Sequence, residues 1–293
     1  MKGRRRRNMG RTADLNHTQK EEPVYDAEHL KQVILIIANE VKRVCEKNDI
    51  PYSLDGGSLI GAVRHGGFIP WDDDFDIDMT RENYERFLEA CKTDLGEDFF
   101  LQTYETDPAY PKGFCKVLLK GTKVVEPGSV GCRYQKGIFI DVFPWDNVPD
   151  SPAAKYSQMF VTYACGKLLH QKLGSAIPPG SGPAKKAVFH LLRGAGKLIP
   201  AKMLVDTREH FLKKYPSTTR NVACMVCIAG YRKTEMKRSV FDRYTELPFE
   251  DTSFSAVADY DYMLTQIFGN YMELPPVEKR KTHGYVEVDF GKY

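Results

Sequence analysis

The sequence predicts an α/β (α+β) protein, with a mixed-sheet core followed by a mostly helical C-terminal half. Three observations carry that expectation. Between Asp26 and Pro149, segments with apolar residues at helical spacing alternate with short runs rich in β-branched and aromatic residues. Beyond Pro149 the alternation gives way to long helical stretches broken by proline and glycine. The chain has 293 residues, 42% hydrophobic and 28% charged, enough for one large core or two closely packed ones. The organisation read from this is an arm over 1–25, a core over 26–149 and a helical region over 150–293, with no internal repeats.

The arm, "MKGRRRRNMGRTADLNHTQKEEP", lacks the apolar residues needed to order itself and reads as disordered. A run such as Arg4–Arg7 is ordinarily a solvated tail, although a basic arm can also touch anionic lipid or nucleic acid. The net charge is +3, so without those four arginines the chain is nearly balanced, and charge gives no argument for nucleic-acid binding. No apolar segment follows the arginines as a signal peptide requires, and no run approaches the roughly 18 apolar residues that span a bilayer.

The core begins with "DAEHLKQVILIIANEVKRVCEKNDI", where Leu30, Val33, Ile34, Ile37, Val41 and Val44 make one helical face behind an Asp26 N-cap. "PYSLDGG" reads as a short strand and glycine turn, and "SLIGAVRH" as a helix with Ser58 at its start. "WDDDFDIDM" enters a strand, and "RENYERFLEACK" is a helix capped by Thr80. "FCKVLLKGTKVV" and "GIFIDVFPW" are strands. Past Pro149, "SPAAKYSQMFVTYACGKLLHQKL" is a long helix and "GSAIPPGSGP" a loop. Two helices separated by Pro200 follow, and "DYDYMLTQIFGNYMELPP" holds another, closed by Gly269. In "AKKAVFHLLRGAGKLI", Lys186, Arg193 and Lys197 line one face, and Val188, Leu191, Leu192, Ala195 and Ile199 another. Amphipathicity is the norm for a helix packed on a core. A basic amphipathic helix can also lie on a membrane surface, where it would suit a lipid-linked acceptor.

Seven cysteines, an odd number at scattered spacing, suit reduced thiols and a cytoplasmic setting. Cys224 and Cys227 form a CxxC among apolar neighbours with no second CxxC, so they read as buried thiols of a core strand rather than zinc ligands. The histidines show no metal-ligand spacing either.

The distinctive stretch is "GGFIPWDDDFDIDM", with five aspartates in seven residues at the entrance to a strand. Alternation puts Asp72, Asp74, Asp76 and Asp78 on one face and Phe75, Ile77 and Met79 on the other. Two carboxylates about 4 Å apart repel by roughly 4 kcal/mol at an effective dielectric of 20. Such a row beside a core calls for a cation, and an all-oxygen ligand set suits Mg²⁺ or Mn²⁺. Asp141, alone between Ile140 and Val142, is either a third ligand from a neighbouring strand, a turn residue or a carboxylate paired with a lysine. Before the cluster, Gly56, Gly57 and Ser58 stand where a helix begins, a place that either favours a phosphate or serves only as a tight turn. Gly-Gly-Ser followed by a DxD strand and a later aspartate describes the nucleotidyltransferase fold.

"YSLDGGSLIGAVRHGGFIPWDDDFDIDM", "FCKVLLKGT", "GIFIDVFPWD", "LPFED" and "YMLTQIFGNYMELPPVEKR" resemble the LicD family of phosphocholine transferases, whose core is similar to that of the fukutin-related proteins. The resemblance spans roughly Asp26 to Tyr285. It implies a catalytic core over 26–149, a helical region that completes the site on the acceptor side, and a metal held by Asp74, Asp76 and Asp141. This chain has Asp78 where the family usually has a small residue, which leaves Asp76 and Asp78 as an alternative register. The implied reaction moves a phospho-alcohol, typically phosphocholine from CDP-choline or another CDP-alcohol, to a sugar hydroxyl of a surface glycan such as teichoic acid or lipopolysaccharide, or of its lipid-linked precursor. No nucleic acid is expected as a partner. A peripheral position at the inner face of the membrane is compatible with this. Arg64 and Lys116 are candidates to neutralise phosphate, with surface ion pairing as the other reading. Asp141 or Asp72 is the candidate base. A quaternary nitrogen would seek aromatic faces, for which Trp71, Tyr110, Phe114, Tyr134 and Trp145 stand near the motifs, although core packing is their commoner role. Glu250 of "LPFED" would orient donor or acceptor, or serve as a structural carboxylate. Two rivals are a DxD glycosyltransferase using a sugar nucleotide and a non-catalytic binding protein.

Overall fold

The computed structural model describes residues 25–177, 180–227 and 229–293. The arginine run of the arm lies outside these. In chain order the elements are α1 (Ala27–Lys47), β1 (Ser53–Leu54), α2 (Gly56–His65), β2 (Asp76–Thr80), α3 (Arg81–Asp94), β3 (Phe99–Gln102), β4 (Cys115–Leu119), β5 (Lys123–Val125) and β6 (Phe139–Val148). Then come α4 (Pro152–Lys172), α5 (Pro183–Leu198), α6 (Ala201–Lys213), β7 (Asn221–Ala223), α7 (Tyr231–Thr234), β8 (Met236–Lys237), β9 (Tyr244–Phe249), β10 (Thr252–Val257), α8 (Tyr260–Phe268) and β11 (Glu287–Asp289).

The main sheet runs β1-β2-β6-β4-β3, with β7 and β8 added along the far end of β6. Its β2–β6 pair is parallel and its other pairs antiparallel. The sequence dictates this locally. Asp26 caps α1 by accepting from the His29 N–H at 3.0 Å. The apolar stripe of α1 is buried along its length, and α1 and α3 cover one face of the sheet. Gly66, at φ 70°, ends α2 in the left-handed conformation that glycine adopts without strain. On β2, Ile77 and Met79 are fully buried on the helix-covered side. Asp76 and Asp78 point the other way, as strand alternation requires.

Residues past Pro149 feed the same core. Phe249 and Phe254 of the β9–β10 hairpin pack edge-on against Phe75, with ring centroids 5.2 and 5.1 Å away. Helices α4 and α6 meet over a smaller cluster of Cys165, Leu169, Leu204 and Val205. Helix α5 departs from the expectation of a helix packed on the core: Gly196 is its one buried residue. The reason is geometric. Gly196 lies against the Leu168 carbonyl, where an added Cβ would stand at 3.2 Å, so α5 rests on α4 near its end and turns its apolar stripe outward. No helix among the described residues is long and apolar enough to cross a membrane.

Candidate active site

Register brings the acids together. Asp76 of β2 stands opposite Asp141 of β6, and Lys116 of β4 stands opposite Asp141 from the other side. All three point away from α1 and α3. Asp76 and Asp141 reach the lining of a cleft of about 880 Å³. Asp74, Asp76 and Asp141 line it, together with Phe114, Phe139 and Phe143, and α4 supplies the opposite wall from Met159 to His170.

The strand begins later than the sequence suggested. Only Asp76 and Asp78 belong to β2, while Asp72, Asp73 and Asp74 lie in the segment leading into it. The four alternate aspartates therefore do not share one face of a strand. Asp78 is fully buried beside Asp55 and Trp145, away from the cleft lining. Burial, and then the Asp55 carboxylate, push its carboxyl well above the usual range. Of the two registers, it is Asp74 and Asp76 that reach the cleft.

The glycine segment holds these acids in place. Gly56, Gly57 and Ser58 form the first turn of α2. A Cβ on Gly57 would come within 2.2 Å of Asp72 Oδ2, so only glycine lets that carboxylate lie against the helix. Gly56 takes φ +50° beside Asp76. The Ser58 hydroxyl is buried and accepts from the Asp76 N–H at 2.9 Å. None of the three lines the cleft.

Asp73, given no role from the sequence, is the anchor of the cluster. It is fully buried and accepts from the His283 N–H at 3.0 Å, bonds the His283 ring at 2.7 Å through Nδ1, and accepts from the Tyr25 hydroxyl. Burial alone would raise its carboxyl; these hydrogen bonds outweigh burial and hold it below the usual range. Tyr25, counted with the arm, thus belongs to the folded site. His283 reaches over Asp73 to place Nε2 3.1 Å from Asp74 Oδ2.

Asp74 and Asp76 are in the opposite electrostatic state. Burial raises both far above the usual carboxylate range, and their acidic neighbours, Asp72 and Asp141 among them, raise them further. Asp141 Oδ1 is buried without a hydrogen bond among the described residues, though the Lys116 ammonium is 3.0 Å away. Such a set of oxygens cannot all be ionised without a cation, and it fits a hard divalent metal. Asp72, Asp74 and His283 also offer three ligand atoms within 4.8 Å of one another.

The structure separates the remaining candidates. Lys116 is buried, 3.0 Å from Asp141 and 3.5 Å from Glu126, so its charge is already met by carboxylates. Burial lowers its pKa despite them. Arg64 sits near the far end of α2 and donates to the Tyr271 carbonyl at 2.6 Å, outside the cleft lining. Trp71 lies 4.8 Å from the Arg280 guanidinium, also outside it. Glu250 accepts from the Phe68 N–H at 2.9 Å and braces the turn at Gly67 instead of facing the cleft. Tyr110, Tyr134 and Trp145 are core residues, and of the five aromatics only Phe114 lines the cleft. Its ring centroid is 4.3 Å from that of Phe143. Phe139 and Phe143 could have been found, since they alternate with Asp141 on one strand. His283 and Lys112 carried no spacing signal. Cys224 is buried just past β7, and Cys227 lines the cleft.

His170 on α4 supplies a pH dependence of stability. Burial, and then Lys112, lower its pKa from 6.5 to about 4. A depressed histidine contributes stability above pH 6.5 that is lost as pH falls toward 4. We expect urea unfolding to show a loss of order 2 kcal/mol across that window, discounted for partial exposure, which His170→Gln removes. An unchanged pH profile in that variant would rule the assignment out.

Comparison with known proteins agrees with this geometry. Residues 49–151 match the family model described as LicD/FKTN/FKRP, nucleotidyltransferase domain. The lipopolysaccharide cholinephosphotransferase LicD of Haemophilus influenzae is 30% identical over 259 residues, covering 87% of this chain and 95% of that protein. The ribitol 5-phosphate transferase FKRP of Homo sapiens and of Mus musculus is 48% identical over 46 residues, 16% of this chain and 9% of theirs. With the relative from Haemophilus influenzae matched along nearly its whole length, the chain belongs to the LicD family.

Proposed function

We propose that this protein is a metal-dependent transferase that moves a phospho-alcohol, phosphocholine from CDP-choline in the first instance, to a hydroxyl of a glycan. The observation that carries the reading is the placement of Asp74, Asp76 and Asp141 on one wall of the cleft, where burial and mutual repulsion demand a cation. Relatives named as a cholinephosphotransferase and a ribitol 5-phosphate transferase supply the class of group transferred. Asp74, Asp76 and Asp141 would hold Mg²⁺ or Mn²⁺. When bound, that ion neutralises charge on the diphosphate and on its leaving oxygen.

The chain's own residues do the rest. Ser58 and Asp73 fix the backbone that presents Asp76 and Asp74. Phe114 and Phe143 offer ring edges and faces to a quaternary ammonium head, while one face of Phe139 is taken by the Lys116 ammonium, 2.9 Å from its centroid. Lys167 and Arg232, exposed on the cleft lining, stand where phosphate or an anionic acceptor would enter. Of the two carboxylates read as bases, Asp141 is counted among the metal ligands and is already engaged by the Lys116 ammonium at 3.0 Å. That leaves Asp72, beside Asp74, to take the proton of the acceptor hydroxyl.

The test is nucleotide release from CDP-choline, CDP-ethanolamine, CDP-glycerol and CDP-ribitol, with Mg²⁺, Mn²⁺ or EDTA, and with or without a glycan extract. Metal-dependent CMP release from CDP-choline is the expected result. Release from another CDP-alcohol would correct the donor. Release of UDP from a sugar nucleotide, with none of CMP, would sink the reading.

A further inference from the structure

Helices α4 and α5 occupy an acid-free part of the chain. Between Asp150 and Asp206 there is no Asp or Glu, while eight residues are Lys or Arg. The segment thus carries +8, although the whole chain is +3. An ordinary solvated surface mixes both signs, and a single-sign region points to an anionic partner.

The same segment exposes apolar side chains. On α5, Val188, Leu191 and Leu198 are 54, 72 and 86% exposed, and their spacing places them on one stripe. No hydrophobic cluster among the described residues includes any of the three. On α4, Tyr156, Phe160 and Tyr163 are exposed at i, i+4 and i+7, again one stripe. Two of them, Phe160 and Tyr163, line the cleft. The exposed stripe of α4 therefore reaches the entrance to the site.

From this we infer that the α4–α5 face docks on an anionic phospholipid surface. Val188, Leu191 and Leu198 enter the headgroup–acyl boundary, and the exposed Lys185, Lys186 and Lys197 meet the lipid phosphates. The aromatic rings of α4 sit at the interfacial level that such amphipathic side chains favour. Docking in this way turns the mouth of the cleft toward the membrane, so an acceptor carried on a lipid meets the carboxylates without leaving the bilayer. Charge decides the partner: Lys155 and Lys202 are paired with Glu235 and Asp206, but the other six cations have no ion pair among the described residues, so a second copy of this chain would set like charges face to face. The inference does not rest on the transfer reading, because flotation reads binding and nucleotide release serves only to check that the variant is intact.

The experiment is vesicle flotation of the full chain with phosphatidylglycerol–phosphatidylcholine vesicles, and with phosphatidylcholine alone, at low and high salt. Binding to the anionic vesicles, weakened by salt, is expected. The exposed-site variant Leu191→Asp/Leu198→Asp should bind about tenfold more weakly while keeping its circular dichroism spectrum and its nucleotide release from soluble donor. A second variant, with Arg4, Arg5, Arg6 and Arg7 changed to alanine, separates the arm from the helices and should bind nearly as well as the parent. Binding lost with the arginines and kept in the leucine variant would overturn the inference, as would no binding at all. So would a dimer in sedimentation velocity that the leucine variant dissociates, since the stripe would then be an interface between copies.

Discussion

Asp76→Asn is expected to abolish transfer and to make the metal-free protein more stable. Both effects follow from one cause. The Asp76 carboxyl is held well above its usual pKa by burial first and then by Asp74, Asp141 and Asp55. A carboxyl raised in the folded state contributes stability below its ordinary pKa of about 4 that is lost as pH rises through the shifted value. At neutral pH the metal-free wild type therefore carries repulsion that the amide lacks. In EDTA the variant should unfold at higher urea than wild type, by order 1 kcal/mol, with the gap widening as pH rises. Adding Mg²⁺ or Mn²⁺ should stabilise the wild type markedly and the variant little. Nucleotide release should fall by about a thousandfold, on the scale of losing a preorganised electrostatic contact to the transferring group. A variant with wild-type turnover would remove Asp76 from the site. One destabilised in EDTA would show that the carboxylate is structurally satisfied without a cation.

That prediction rests on a part of the site that was legible in the sequence. Alternation alone set Asp76 against Ile77 and Met79, and the structure keeps that division. Asp141 announced itself as a charge between Ile140 and Val142. Its neighbour Lys116, the third residue of another segment, became visible only when β4 was paired to β6 in register. The lysine reading of Asp141 matches the structure, and the same carboxylate also lines the cleft. Residues whose roles depend on chain crossings far apart in sequence could not be read. His283 arrives 209 and 210 positions after the two aspartates it touches and is held by a backbone N–H as much as by its ring. Arg64 and Glu250 misled because a residue type was placed by its neighbourhood in sequence. Arg64 stands near the end of α2 remote from the acids, and Glu250 is drawn to the Gly67 turn by a backbone donor. Helix α5 was ambiguous for a different reason. Its amphipathic pattern is the same whether the apolar stripe packs on a core or stays exposed, and the burial of Gly196 alone shows that much of the stripe stays exposed.

The largest loss of stability is expected outside the cleft, at the ion pair between Arg81 and Asp146. Arg81 opens α3 directly after β2, and Asp146 lies on β6 where β7 joins it. Arg81 Nε donates to Asp146 Oδ1 at 2.7 Å, and both side chains are buried. Asp146 Oδ2 and the second guanidinium nitrogen have no hydrogen-bond partner among the described residues. Desolvation is therefore only partly offset, and burial raises the Asp146 carboxyl to about 6 even with Arg81 beside it. Removing Asp146 leaves the buried guanidinium with only the half-exposed Glu85, whose Oε1 is 3.1 Å from Nη1. Asp146→Ala should cost about 3–5 kcal/mol in urea unfolding, a large fraction of a typical domain's stability. The double variant Arg81→Met/Asp146→Leu, which removes both charges and keeps most of the volume, should recover to within about 1 kcal/mol of wild type. A double variant as unstable as the single would mean the pair fixes the β2–α3 junction geometrically rather than by satisfying its own charges. Since neither residue lines the cleft, folded Asp146→Ala at low temperature should keep its KM, and a raised KM would place the pair in the support of the site.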